Sequence, residues 1–344
     1  MLPRQRVSAA LEFQPPDVVP VEYHPSPAGM YEHGEALRGL MTRCGQDFGD
    51  PSGFALARPD PRWIGPGGRY ACRERDAWGT VWEHLIFGVA GHPVERPLDD
   101  WSAWPRFRPP PDPATAGPDF EAARAAARRH RERFFLKAGW IGIFEVMHAV
   151  RRFEDVLMDL ATDEPLLHRL ADAIVDFQLK EVRRLLAVGA DAIQFGDDFG
   201  TQTALLVSRD TWRRFFRPRF ARLLEPVRAA GVKAFYHSCG MVWDLLGDLA
   251  DLGFDAIWPQ VNLYDAAALA RRCRELRMAV AIHPDRSHLM TFGRPGDVRQ
   301  AVLDLAETFR VRDGGAWFYV EIDNGFPFEN VRALVETIAE LRGQ

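Results

Sequence analysis

No hydrophobic run in these 344 residues approaches the length needed to cross a bilayer. The first ten residues, with Arg4 and Arg6, lack the apolar core of a signal peptide. Cysteine is scarce: Cys44, Cys72, Cys239 and Cys273 are scattered without the spacing of a disulfide framework. An excess of charge of one sign is also missing. The formal net charge is -5, so neither a nucleic-acid footprint nor a membrane-binding patch is expected. No internal repeat or long low-complexity tract occurs. These absences predict a cytoplasmic protein that keeps its thiols reduced and acts on a small molecule.

What is present is a regular alternation of short β-rich runs and amphipathic helices. Val18–Tyr23, Phe134–Ile143, Asp191–Phe195, Lys233–His237, Asp255–Trp258, Met278–Ile282 and Trp317–Ile322 are expected strands. Helices are expected over Glu164–Leu186, Asp210–Ala229, Val242–Asp251, Ala266–Leu276, Pro295–Arg310 and Pro327–Leu341. Gly189, Gly231, Gly253 and Gly315 stand between a helix and the next strand, as helix stops. This rhythm predicts a parallel sheet. Seven strands are readable, and an eighth in the weak stretch Met41–Phe48 would close a (β/α)8 TIM barrel, one domain over residues 1–344. An open doubly wound sheet is the alternative, but no Gly-rich phosphate loop follows the first strand.

Residues 50–120 interrupt the rhythm. Asp76–Leu85 reads as a hairpin or irregular lid, and His92–Pro113 is heavy in proline and tryptophan. An interdomain linker is one reading. Trp78, Trp82, Trp101, Trp104 and Phe107 favour instead a packed insertion over the barrel mouth, because a solvated tether would not carry them.

Sites of parallel barrels gather where strands end. Here six strand ends carry polar or ionisable groups: Tyr23-His24, Asp197-Asp198, His237-Ser238-Cys239, Gln260 with Asn262, His283 with Asp285, and Glu321 with Asp323. Turn formation and helix capping explain one or two of these, less readily all six. His237 and Cys239 share a strand face, which places an imidazole beside a thiol, two ligand types that zinc favours. The alternative is a pair of ordinary core residues.

Three stretches, Asp191–Gln202 (DAIQFGDDFGTQ), KAFYHSCG and GFDAIWPQVN, resemble the uroporphyrinogen decarboxylase-like superfamily. So do His283-Pro284-Asp285 through Gly293 and the helix start Phe326–Val331. The resemblance implies one of two activities. The first is metal-free decarboxylation of uroporphyrinogen, for which the family carries an arginine-rich stretch after the first strand. Glu22–Met30 contains no arginine. The second is corrinoid-dependent methyl transfer, with zinc held by a His-x-Cys pair and a later third ligand. The His-x-Cys pair favours this branch.

That branch has a cysteine ligand at the end of the eighth strand, which is absent here. The resemblance then implies Glu321 as third metal ligand with His237 and Cys239; Asp323 is second choice. Gln260 falls where zinc-dependent, cobalamin-independent methionine synthases carry a glutamate, and is expected in a substrate-orienting role with Asp198 and Gln202. Helix capping is the alternative for Asp198. Tyr23, His24 and Asp285 are expected to line a cofactor pocket, with packing the alternative for Tyr23; His148 and His283 are candidates to support the ligands, with a structural histidine the alternative for each. No Asp-x-His-x-x-Gly corrinoid signature occurs, so a corrinoid would arrive on a separate protein. The expected function is zinc-dependent methyl transfer between that corrinoid and a thiol or methylated small molecule. The alternatives are a decarboxylase or lyase of a carboxylic acid or tetrapyrrole, and a non-catalytic ligand carrier.

Overall fold

The computed structural model describes residues 1–343. Ten strands occur in chain order: β1 (Val21–Pro25), β2 (Cys72–Arg75), β3 (Val81–His84), β4 (His92–Glu95), β5 (Lys137–Ile141), β6 (Ala192–Gly196), β7 (Lys233–Ser238), β8 (Ala256–Pro259), β9 (Ala279–Ile282) and β10 (Ala316–Ile322). The seven strands expected from the sequence are β1 and β5 to β10. Their alternation with helices is that of a (β/α)8 barrel. The chain divides into two compact units, one of residues 1–58, 125–137 and 254 onward, the other of residues 59–124 and 138–253.

In the first unit the strand order is β1–β10–β9–β8, all parallel. β9 (AVAI) is buried along its whole length, as a parallel strand covered on both faces must be. The stretch Met41–Phe48 is not a strand. The helix Pro27–Cys44 runs through Met41, because Leu37, Leu40 and Met41 recur at helical spacing and bury one face. Residues just beyond it nevertheless serve the edge of β1. Asp47 Oδ2 accepts the Val21 N–H at 2.9 Å, and Gln46 Oε1 accepts the Tyr23 N–H at 2.8 Å. Asp47 is fully buried and also receives Arg6 at 2.5 Å and Arg342 at 2.6 Å.

In the second unit the order is β5–β6–β7, with β6 and β7 parallel and Gly196 opposite His237. The expected helix Asp210–Ala229 is two helices, Arg209–Phe215 and Arg217–Ala229. Pro218 lacks the N–H needed to continue the first helix, so the chain breaks at Phe216. Phe144, Phe199 and Phe216 pack there, with ring centroids 5.0 Å (Phe144–Phe199) and 4.7 Å (Phe199–Phe216) apart.

The proline-rich insertion is packed. β2–β3–β4 form a three-stranded antiparallel sheet, which is the expected hairpin with one more strand. Trp78 and Trp104 each stack on Phe107, and Leu98 is fully buried. Thr80 Oγ1 donates to Ala149 O at 3.1 Å, and Leu98 N–H to Val150 O at 2.9 Å, so backbone groups after β5 hold the insertion in place. Among the described residues no helix is long and apolar enough to cross a membrane.

Candidate metal centre

β6 and β7 end side by side, and three potential ligands meet there. His237 Nε2 lies 3.4 Å from Cys239 Sγ and 3.6 Å from Asp198 Oδ1. Asp198 Oδ1 also accepts the Cys239 N–H at 2.7 Å. Among the described residues this is one cluster of at least three His, Cys, Asp or Glu side chains placed to hold a metal. Ligand atoms on a tetrahedral zinc lie roughly 3.3–3.8 Å apart, given bonds of roughly 2.0–2.3 Å. The two spacings at His237 match that, and imidazole, thiolate and carboxylate form a donor set that zinc accepts. His237 is buried while Asp198 and Cys239 are partly open, so the ligand atoms can be reached.

The backbone that holds these groups has little freedom. Gly240 has a φ of 77°, and a Cβ there would lie 2.1 Å from Gly200 O. A Cβ on Gly200 would in turn lie 2.4 Å from Met241 N. The loops after β6 and β7 therefore touch backbone to backbone, which only glycine permits at both positions. Ser238 Oγ accepts the Phe199 N–H at 3.0 Å and donates to Cys239 O at 3.0 Å, a second tie between the same loops.

Asp197 faces away from the ligands. It is fully buried and accepts the N–H groups of Ile143 and Glu145, each at 2.8 Å, fixing the chain just after β5. Burial and the nearby Glu145 push its carboxyl well above the usual range. Trp140, on β5, lies with its ring 5.6 Å from that of His237 and donates its Nε1–H to Glu145 Oε2 at 3.2 Å. Burial, with Asp198 nearby, pushes the Glu145 carboxyl up to about 7. Sequence reasoning missed Trp140 and Glu145. The signal was available, because Trp140 lies at the end of β5 and Glu145 in the helix just after it, where the sequence offered no strand-end candidate.

Gln202 follows in the loop after β6 and is exposed. His148 sits on the helix after β5, with its ring centroid 5.1 Å from that of Phe144. The other candidates belong to the first unit. Glu321, on β10, has Arg286 Nη1 at 2.9 Å and His283 Nε2 at 3.6 Å, and Arg286 also reaches Asp323 at 3.5 Å. Burial raises the Glu321 carboxyl to about 7 against the lowering effect of Arg286. His283 Nδ1 accepts Trp258 Nε1–H at 3.2 Å. Asp285 accepts the N–H groups of Ser287 and His288 at 2.9 and 3.2 Å, a turn-forming role. Tyr23 is buried, His24 stacks on Tyr319 at 5.7 Å, and Gln260 is half-buried after β8.

A barrel of alternating strands and helices with ionisable groups at its strand ends defines a broad class of proteins. The particular family follows from comparison with known ones. Residues 89–341 match the family model described as Uroporphyrinogen decarboxylase (URO-D), and the chain belongs to that family. It is 25% identical over 195 residues to a uroporphyrinogen decarboxylase of Thermus thermophilus, covering 56% of this chain and 53% of that protein. It is 28% identical over 102 residues to the methylcobamide:CoM methyltransferase MtaA of Methanosarcina barkeri, covering 30% of this chain and 29% of that one. The chain thus spans about half or less of the length of these curated relatives. A solved methyltransferase from Methanosarcina mazei has the same fold, with a TM-score of 0.65, 16% identity and 99% of each chain covered.

Proposed function

We propose that this protein is a zinc-dependent methyltransferase, moving a methyl group between a corrinoid carried by a separate protein and a thiol or methylated small molecule. The observation that carries the reading is the convergence of Asp198, His237 and Cys239 at spacings suited to a tetrahedral metal. The similarity to MtaA supports the same branch. Asp198 takes the third-ligand place in preference to Glu321, because its carboxylate already lies beside both partners. Zinc held there would supply positive charge that lowers the pKa of a coordinated thiol and favours the nucleophilic thiolate.

The chain's own residues do the positioning. Asp198 accepts the Cys239 N–H, so the carboxylate and the thiol are held together before any metal enters. Asp197 anchors the end of β5 and with it Trp140, whose ring covers one side of His237. Gln202, exposed in the loop after β6, would orient an incoming group. The roles suggested for Gln260, Tyr23, His24 and Asp285 rest on their positions at strand ends of the first unit.

Replacing Cys239 by Ser should strip zinc and leave the fold intact, because the ligands sit on preformed strand ends. Metal content measured beside circular dichroism checks this, and a full complement of zinc in C239S would show that the site is misplaced. For the reaction, methylcobalamin mixed with the zinc protein and a panel of thiols should show a Cys239-dependent change in its spectrum. No such change, with a cognate corrinoid protein included, would sink the proposal.

A second reading, decarboxylation of a small carboxylic acid, is favoured by Arg286, a partly exposed guanidinium at the end of β9 beside Glu321. It predicts carbon dioxide release that is lost in Arg286→Met and indifferent to zinc.

A further inference from the structure

The second unit contains a cavity of about 270 Å3 that no role above uses. Asp76, Trp78, Trp82, Glu145 and His148 line it. Two of these are carboxylates and two are tryptophans, and neither lysine nor arginine is among the lining residues. Trp82 Nε1–H donates to Asp76 Oδ2 at 2.8 Å, which fixes the indole and leaves the carboxylate beside its ring. Trp78 is held by edge contact with Phe177, centroids 5.2 Å apart, and by stacking on Phe107. Rigid indole faces with carboxylates beside them attract a soft organic cation, whereas an anion meets like charge there.

The cavity is linked to the metal cluster by one residue. Glu145 Oε2 accepts from Trp140 Nε1 at 3.2 Å, and the Trp140 ring lies 5.6 Å from the His237 ring. Glu145 also lies near enough to Asp198 for the two carboxylates to repel, so a molecule lodged against Glu145 sits beside a cluster suited to activating a thiol.

We infer that this cavity takes the ammonium end of a cationic thiol, so that the methyl acceptor is an aminothiol or its N-methylated form. The inference rests on the methyltransferase reading and names its substrate class. In the transfer the thiol proton leaves to solvent and a sulfur lone pair forms the bond to the methyl carbon. The electron pair of the broken cobalt–carbon bond stays with the corrinoid. A thiol with an anionic sulfonate would be a poor substrate, since its charge would face Asp76 and Glu145.

The first test needs neither metal nor methyl donor. Choline should quench tryptophan fluorescence saturably at pH 8, binding at least tenfold more tightly than its neutral isostere 3,3-dimethyl-1-butanol. Glu145→Gln should weaken choline binding about tenfold without changing zinc content. Trp82→Phe keeps an aromatic face and should retain binding, whereas Trp82→Leu should lose it with an unchanged circular dichroism spectrum. Equal affinity for choline and the neutral isostere, or no effect of Glu145→Gln, would overturn the assignment. In the methylcobalamin assay thiocholine should exceed 2-mercaptoethanesulfonate at least tenfold in kcat/KM, and the reverse order would also overturn it. Choline binding without any Cys239-dependent methyl transfer would defeat the methyltransferase reading and leave the cation cavity standing. Methyl transfer without cation preference would defeat the cavity assignment alone.

Discussion

Asp197 and Asp198 are neighbours in sequence with opposite duties. Successive side chains leaving a strand point to opposite faces, so one carboxylate is buried against backbone donors and the other meets His237 and Cys239. The paired residues were legible in the sequence as strand-end acids. Asp198 was expected at the site in a substrate-orienting role; its place beside His237 and Cys239 as a candidate ligand was less legible, because a ligand and a helix cap look alike there. Asp198 accepts a backbone N–H, as a cap does, but the N–H belongs to Cys239, just past the next strand. Only tertiary pairing could reveal that. Replacing Asp197 by Ala should leave the N–H groups of Ile143 and Glu145 buried and unsatisfied, a cost of about 3 kcal/mol or more. Urea unfolding should show it as a lower midpoint at unchanged slope.

At the scale of elements, the seven strands of the βα rhythm were readable because apolar runs and glycine stops mark them locally. The stretch Met41–Phe48 misled because its apolar residues continue a helix. Its last residues then complete the sheet edge with side chains, which no periodicity encodes. Asp47 is the strongest case, a buried carboxylate shared by Val21 N–H, Arg6 and Arg342. Replacing it by Ala should cost about 3–5 kcal/mol, because two guanidinium groups lose their buried partner. Thermal denaturation of Asp47→Ala beside the exposed-pair variant Asp176→Ala, which should change little, checks the contrast. The insertion was legible as packed from its tryptophans. Its antiparallel sheet was only half readable, since β4 contains Pro93 and follows a glycine-containing turn.

At the scale of the molecule, two buried carboxyls set a pH dependence. Glu145 and Glu321 are each raised from 4.5 to about 7. Between those values the folded chain holds protons that the unfolded chain has released. The stability from this source is therefore present below about 4.5 and lost as pH rises through about 7. Zinc-free Glu145→Gln and Glu321→Gln should each lack this contribution, so that their urea midpoints fall less, or rise more, than the wild type's between pH 5 and pH 8. The sequence also bears on substrate scale. With no arginine in Glu22–Met30, anaerobic incubation with uroporphyrinogen should yield no less-carboxylated product, as separation of the porphyrins would show.

The pairing of β1 with β10, Val21 opposite Phe318, has a consequence during synthesis. The second unit uses residues 59–124 and 138–253, so all its parts are made well before β10. β1 is made before the second unit, yet its sheet partner β10 is made after it. Over that interval its backbone edge has only the side chains of Gln46 and Asp47, which accept the N–H groups of Tyr23 and Val21. Nascent chains stalled before residue 316 should therefore protect the second unit from protease while residues 1–58 remain cleavable.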